Sequence, residues 1–173
     1  MSRSQGNEGE VIIDFGPKTN PPDVTDYSMT VLEDILRSAH LCKATISSTS
    51  RSPKEQARVM FQNIESQGVK AQKKLYGPFG DQVIDVYAAS KAANKTADQI
   101  KADMEAKIVE LGPTNVSHHA SDPNILNVFD VAPSSITDRP AFERAVRAEP
   151  RVKKFLLPPD DPGYHLEIPQ PGA

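Results

Sequence analysis

Residues 112–133 read GPTNVSHHASDPNILNVFDVAP, and within them the hydrophobic pattern of the chain changes period. Upstream, Ile100, Met104, Ile108 and Leu111 recur at spacings of three and four, which is one face of a helix starting near Thr96. Gly112-Pro113 stops that helix, because proline cannot continue it and glycine tolerates the turn. Downstream, Val116 to His119 reads as a short extended piece and Asn127 to Ala132 (NVFDVA) as a strand. Helices lie mostly before this stretch and strands mostly after it. That order predicts an α+β fold: a single domain whose N-terminal helices pack on a small antiparallel sheet.

Working outward, Val11 to Phe15 (VIIDF) reads as a short strand ended by Gly16-Pro17. Thr25 to His40 carries Val31, Leu32, Ile35, Leu36 and Ala39 at helical spacing. Lys43 to Ser50 (KATISSTS) is β-branched and roughly alternating, so it reads as a strand. The clearest helix start follows: Ser52 as cap, Pro53 in the first turn and Glu55 three after the cap. That helix runs through Val59, Met60, Phe61 and Ile64 toward Gly68, and a second covers Asp81 to Ala93. Near the end, Asp138 and Pro140 open a helix over Ala141 to Arg147. Lys153 to Leu157 and Gly163 to Ile168 are strands, the last ended by Pro169. The prolines, 15 in all, cluster at Pro21-Pro22, Pro158 to Pro162 and Pro169 to Pro171, and so mark loops. The division expected is an N-terminal extension over 1–24, with its first ten residues polar and mobile, a domain over 25–168 and a tail over 169–173.

Composition excludes several classes. A net charge of -3 lacks the basic footprint that nucleic acid requires. A single cysteine, Cys42, excludes an internal disulfide and a cysteine-rich zinc knuckle. No apolar run reaches membrane length, and MSRSQGNEGE has no apolar signal segment, so synthesis in the cytoplasm without membrane insertion is expected.

Three of the four histidines fall in the last third of the chain. Catalytic zinc takes three protein ligands, often histidine nitrogen or carboxylate oxygen, and leaves a fourth position open. One or both of His118 and His119, then Asp130, then His165 lie in or beside expected strands, where alternation projects side chains from one face. Histidine pairs in loops are commonly plain surface residues. A carboxylate within Val128-Phe129-Asp130-Val131 is more telling, because an acid in an apolar strand needs a partner.

Ile46 to Gln56 (ISSTSRSPKEQ), Ser117 to His119 (SHH), Val128 to Pro133 (VFDVAP) and Tyr164 to Ile168 (YHLEI) resemble, in order, the segments of the zinc peptidases that cleave bacterial cell-wall peptides. These are the D-alanyl-D-alanine carboxypeptidases and dipeptidases and the L-alanyl-D-glutamate endopeptidases, including phage endolysins. The resemblance covers roughly residues 27–168. It implies Zn2+ held by His119, Asp130 and His165, with Arg51 binding substrate or the developing oxyanion. It also implies a peptidoglycan peptide as substrate, a monomer acting at the cell wall or periplasm, and an export or lysis partner that takes it there. On this pattern His118 faces the other way along the extended chain.

Two departures qualify that reading. First, His119 and Asp130 are separated by more positions than the family pattern, so Ser121 to Asn124 (SDPN) reads as an insertion enlarging a loop at the site. Second, the family's usual general base lies three before the last ligand, or a histidine stands two before it; here those positions hold Pro162 and Gly163. Asp161 and Asp160 are the nearest acids. Glu167 shares a strand face with His165, where it could act as base, orient a ligand or pair with Arg51. The competing expectation is a metal-binding or metal-free structural module of the same fold, such as a phage particle component. A narrower one is an enzyme for the free D-alanyl-D-alanine dipeptide.

Overall fold

Caps and glycine breaks divide the chain into its elements. The computed structural model describes residues 9–173. It contains β1 (Ile12–Phe15), α1 (Asp26–Ser38), β2 (Lys43–Ser48), α2 (Pro53–Gln67), α3 (Val69–Leu75) and α4 (Pro78–Ala92). There follow α5 (Ala97–Leu111), α6 (Pro113–Val116), β3 (Leu126–Val131), α7 (Arg139–Ala148), β4 (Lys154–Leu156) and β5 (Tyr164–Pro169). Ser52 accepts from the Glu55 amide at the head of α2, as its sequence position predicts. Thr96 and Gln99 form a reciprocal capping box on α5. No helix among the described residues is long and apolar enough to cross a membrane. The mobility expected for the first ten residues lies, for residues 1–8, outside the described residues.

Two stretches are more helical than the sequence suggested. After α2 the chain passes through Gly68 at φ 89° and restarts at once as α3. After α5 it passes through Gly112 at φ 88°, and Pro113 opens α6. A 3-10 turn over His118–Ala120 follows. Pro113 has no N–H to leave unsatisfied at a first helical position, so the residue that stops one helix starts the next. In place of the extended segment expected over Val116 to His119 stand the end of α6, a single extended residue, Ser117, and the 3-10 turn.

The fold is α+β, with strands in the order β1-β2-β3-β5-β4. The sheet is mixed rather than antiparallel: β1 pairs parallel with β2, and the other pairs are antiparallel. The reason is α1, which crosses over between the first two strands and returns the chain in the same direction. This also moves the domain's start. Ile12 to Phe15 belong to the sheet and Val24 is buried in its core, so residues 12–24 are part of the domain. At the other end Pro169 still pairs with Leu126, and the Gln170 side chain donates to Ser28 Oγ at 3.1 Å. The tail is tied down.

One face of the sheet packs on α1 and α7 through Leu32, Ile35, Ile46, Phe129, Phe142 and Tyr164. Each fully buried side chain of this kind contributes about 1.5–3 kcal/mol. Contrary to the expectation that the N-terminal helices pack on the sheet, the remaining helices do not lie on that face. α2, α4 and α5 close a second core of their own around Met60, Ile84 and Met104. The sheet's other face thus looks across a cleft of about 510 Å³ toward α2, α3 and α6.

Candidate metal centre

Strand register builds two members of the site. Asp130 on β3 stands directly opposite His165 on β5, and opposed residues of an antiparallel pair project from the same face. His165 Nδ1 lies 3.0 Å from Asp130 Oδ1. The third member comes from outside the sheet. The 3-10 turn after α6 carries His119, whose amide donates to Ser117 Oγ at 3.3 Å. Its carbonyl accepts from the Arg51 amide at 2.7 Å, pinning the turn to the loop before α2. His119 Nε2 then sits 3.3 Å from the same Asp130 oxygen. The two imidazoles meet edge to face, with centroids 5.0 Å apart. One ligand atom from each of the three residues lies within 4.8 Å of the others, so the group could hold a metal ion.

The outward nitrogens test that fit. His119 Nδ1 donates to the Thr49 carbonyl at 3.1 Å, and a carbonyl can only accept. In neutral His119, Nε2 is therefore a bare lone pair aimed at Asp130. His165 Nε2 donates to Glu167 Oε1 at 2.9 Å, which in the neutral ring leaves Nδ1 as the second lone pair. Three acceptors thus converge on one point, and only a cation there, metal or protons, reconciles them. Metal-ligating histidines typically have their other nitrogen held in this way by a carbonyl or carboxylate.

Without a metal, protons fill the role. Burial works against the charged form of His165, but its bonds to Asp130 and Glu167 outweigh burial and push its pKa up to about 9. Burial likewise opposes ionisation of Asp130, yet the flanking imidazoles hold its carboxyl well below the usual range. Glu167, opposed by burial and favoured by His165 and His118, is brought down to about 2.

Arg51, Asp161, Asp160 and Glu167 all line the same cleft as the three candidate ligands. Arg51 is fixed by donating to Ser48 Oγ at 2.8 Å and Gln56 Oε1 at 3.3 Å. Ser48 is itself brought beside Asp130 by an irregularity in the β2–β3 pairing. Asp161 accepts from the Gly163 amide at 3.0 Å. Burial and the negative charge of Asp130 raise its pKa, against the pull of that amide and the two histidines. Glu167 is buried and pairs with the histidines, not with Arg51.

His118 departs from the expectation that it faces away. On a 3-10 turn successive side chains fan round the axis rather than alternating, and His118 Nδ1 donates to Glu167 Oε1 at 2.7 Å. It lines the cleft without joining the ligand trio. His119, too, rides on this turn rather than on a strand. Ser121 to Asn124, expected to enlarge a loop at the site, fold into a turn closed by Asp122 Oδ1 and do not line the cleft. Sequence reasoning missed Thr49, which acts through its backbone carbonyl and so has no side-chain signature. It also missed Tyr76, whose hydroxyl lies 3.5 Å from Gln56 Nε2 at the cleft wall. Comparison with family models, with curated proteins and with solved structures finds no match.

Proposed function

We propose that the chain binds zinc through His119, Asp130 and His165 and hydrolyses peptide bonds in bacterial peptidoglycan stem peptides. The observation that carries this is the convergence of two imidazole lone pairs and a carboxylate, with both outer nitrogens fixed, in a cleft that also holds Asp161 and Arg51. A set of two nitrogens and one oxygen is a familiar catalytic zinc set. The ordered sequence segments resembling cell-wall peptidases supply the substrate class. When bound, zinc would bring its water's pKa toward neutrality and polarise the scissile carbonyl. Asp161, held by the Gly163 amide, takes the proton of the attacking water and passes it to the leaving amine. Arg51 presents its guanidinium to the oxyanion. Glu167 and the Thr49 carbonyl keep the imidazoles in the tautomers that face inward. Such a substrate places the action at the cell wall or periplasm, reached with a lysis or export partner.

The test is incubation with purified peptidoglycan and, separately, with free D-alanyl-D-alanine, followed by identification of new termini. Cleavage of neither by zinc-loaded protein would leave a structural module of this fold.

Arg51→Lys keeps the charge but loses the planar fork that Ser48 and Gln56 hold. We expect turnover to fall on the order of tenfold or more with melting temperature nearly unchanged. Wild-type turnover would reduce Arg51 to a surface cation.

Acidity provides an independent check. In the metal-free protein the raised His165 pKa contributes stability that is full below 6.5 and lost as pH rises through about 9. The lowered Glu167 pKa contributes stability that is full above 4.5 and lost as pH falls through about 2. Zinc competes with the His165 proton and wins more easily as that proton leaves. The rise in melting temperature on adding zinc should therefore grow between pH 6.5 and 9. A rise independent of pH in that window would count against His165 as a ligand.

A further inference from the structure

Tyr76, between α3 and α4, packs its ring on the helical core and lines the same cleft as the three candidate ligands. The ring's place is built by a glycine. Gly80 is buried in the first turn of α4, and a Cβ added there would lie 2.8 Å from the Tyr76 ring atoms Cγ and Cδ1. Glycine is a poor helix former, and here its bare Cα leaves the space that the ring occupies.

The state of the hydroxyl follows from Gln56. This amide is fully buried, and its Oε1 accepts from Arg51 Nη1 at 3.3 Å. A guanidinium only donates, so the end of the amide facing Arg51 is its oxygen. The other end, 3.5 Å from Tyr76 Oη, is then the NH2 group, which also only donates. Tyr76 therefore accepts from Gln56 and keeps its own proton to give. Among the described residues that proton meets no acceptor. The phenol stands at the cleft wall within the electrostatic reach of Arg51 and Asp161. Burial pushes its pKa up, against the pull of Arg51 and Gln56, so it stays an O–H donor at neutral pH.

We propose that Tyr76 is a second donor, with Arg51, to the two oxygens that the reacting carbon carries once water has added to the scissile carbonyl. The inference rests on the peptidase reading. Water's oxygen bonds to the carbonyl carbon, the π pair moves onto the carbonyl oxygen, and water's proton goes to Asp161. The phenol and the guanidinium face the negative charge so formed, and Tyr76 keeps its proton throughout. A donor fixed in advance costs no reorganisation as that charge appears. An aromatic ring that only closed the helical core would need neither the hydroxyl nor the bridge through Gln56.

The experiment pairs peptidoglycan hydrolysis with calorimetric binding of phosphinate analogues of D-alanyl-D-alanine and of L-alanyl-D-glutamate to zinc-loaded protein. In each analogue a tetrahedral phosphinate replaces the amide. At least one should bind. Tyr76→Phe keeps the ring and removes only the hydroxyl. It should weaken that analogue by about 10- to 100-fold and lower kcat by a like factor, with KM, zinc content and melting temperature near the wild type. The chain has four tyrosines and no tryptophan, so binding should also register as a tyrosine ultraviolet difference band that Tyr76→Phe abolishes. Gly80→Ala displaces the ring and should cost a similar factor, and adding Tyr76→Phe to it should cost nothing more. If Gly80→Ala does not fold, Tyr76→Phe alone decides. Wild-type affinity and kcat in Tyr76→Phe overturn the proposal and leave the peptidase reading standing. So does an effect confined to KM, or one that comes with a fall in melting temperature, since either makes Tyr76 a plain contact. Analogue binding that needs the Tyr76 hydroxyl, without any hydrolysis, removes the peptidase reading and keeps the donor. A zinc-loaded wild type that neither hydrolyses nor binds removes both.

Discussion

Alanine at His119, Asp130 or His165 is expected to abolish stoichiometric zinc binding, and hydrolysis with it. Each residue supplies one of the three atoms that converge among the described residues, so losing one leaves a two-ligand site that cannot compete with buffer and water. The neighbours should behave differently. Glu167→Gln weakens the grip on His165 Nε2 and is expected to reduce zinc affinity by about 10- to 100-fold, the usual effect of disturbing a ligand's outer partner. His118→Ala removes a bond to Glu167 but no candidate ligand atom, and should leave most of the zinc in place. Metal analysis after dialysis reads all of these, with circular dichroism to confirm the fold. Loss of zinc in His118→Ala with retention in His119→Ala would show that the wrong member of the pair had been assigned.

Asp161→Asn should produce a folded, zinc-loaded protein whose turnover is lower by about 100- to 10,000-fold, the range for loss of a general base. Asparagine keeps an oxygen for the Gly163 amide, so the loop should hold its shape. What disappears is the carboxylate, whose proton affinity burial and Asp130 have raised. Raised affinity suits a group that must accept a proton from water and release it again. Asp160→Asn, at an exposed position one residue earlier, should cost much less. Normal turnover in Asp161→Asn together with loss in Glu167→Gln at full zinc occupancy would move the base to the final strand.

Local chemistry made a good part of this molecule legible before any tertiary structure. Ser52-Pro53 announced its helix because capping depends on residues three apart, and the helix near Thr96 was legible from the spacing of Ile100, Met104, Ile108 and Leu111. Asp130 and His165 were readable as candidates because both fall in expected strands and an acid in an apolar strand needs a partner; that they stand opposite each other is a matter of register, which the structure supplies. The choice of His119, by contrast, came from the resemblance.

Other features depended on contacts between distant segments. Periodicity in β1 gives no hint of its direction, and only the α1 crossover made it parallel to β2. His118 and His119 are chemically identical neighbours; the turn set by Gly112-Pro113, and the Arg51 amide holding the His119 carbonyl, decided which one meets Asp130. The Thr49 carbonyl and the Tyr76 hydroxyl were invisible for the same reason. A backbone acceptor or a side-chain hydroxyl acquires its meaning from what stands opposite it, and the Thr49 carbonyl meets a histidine 70 residues further along the chain. Sequence spacing governs what neighbours along a helix or strand can do; the convergence of lone pairs from separate segments is decided only when the two cores close and bring those segments face to face.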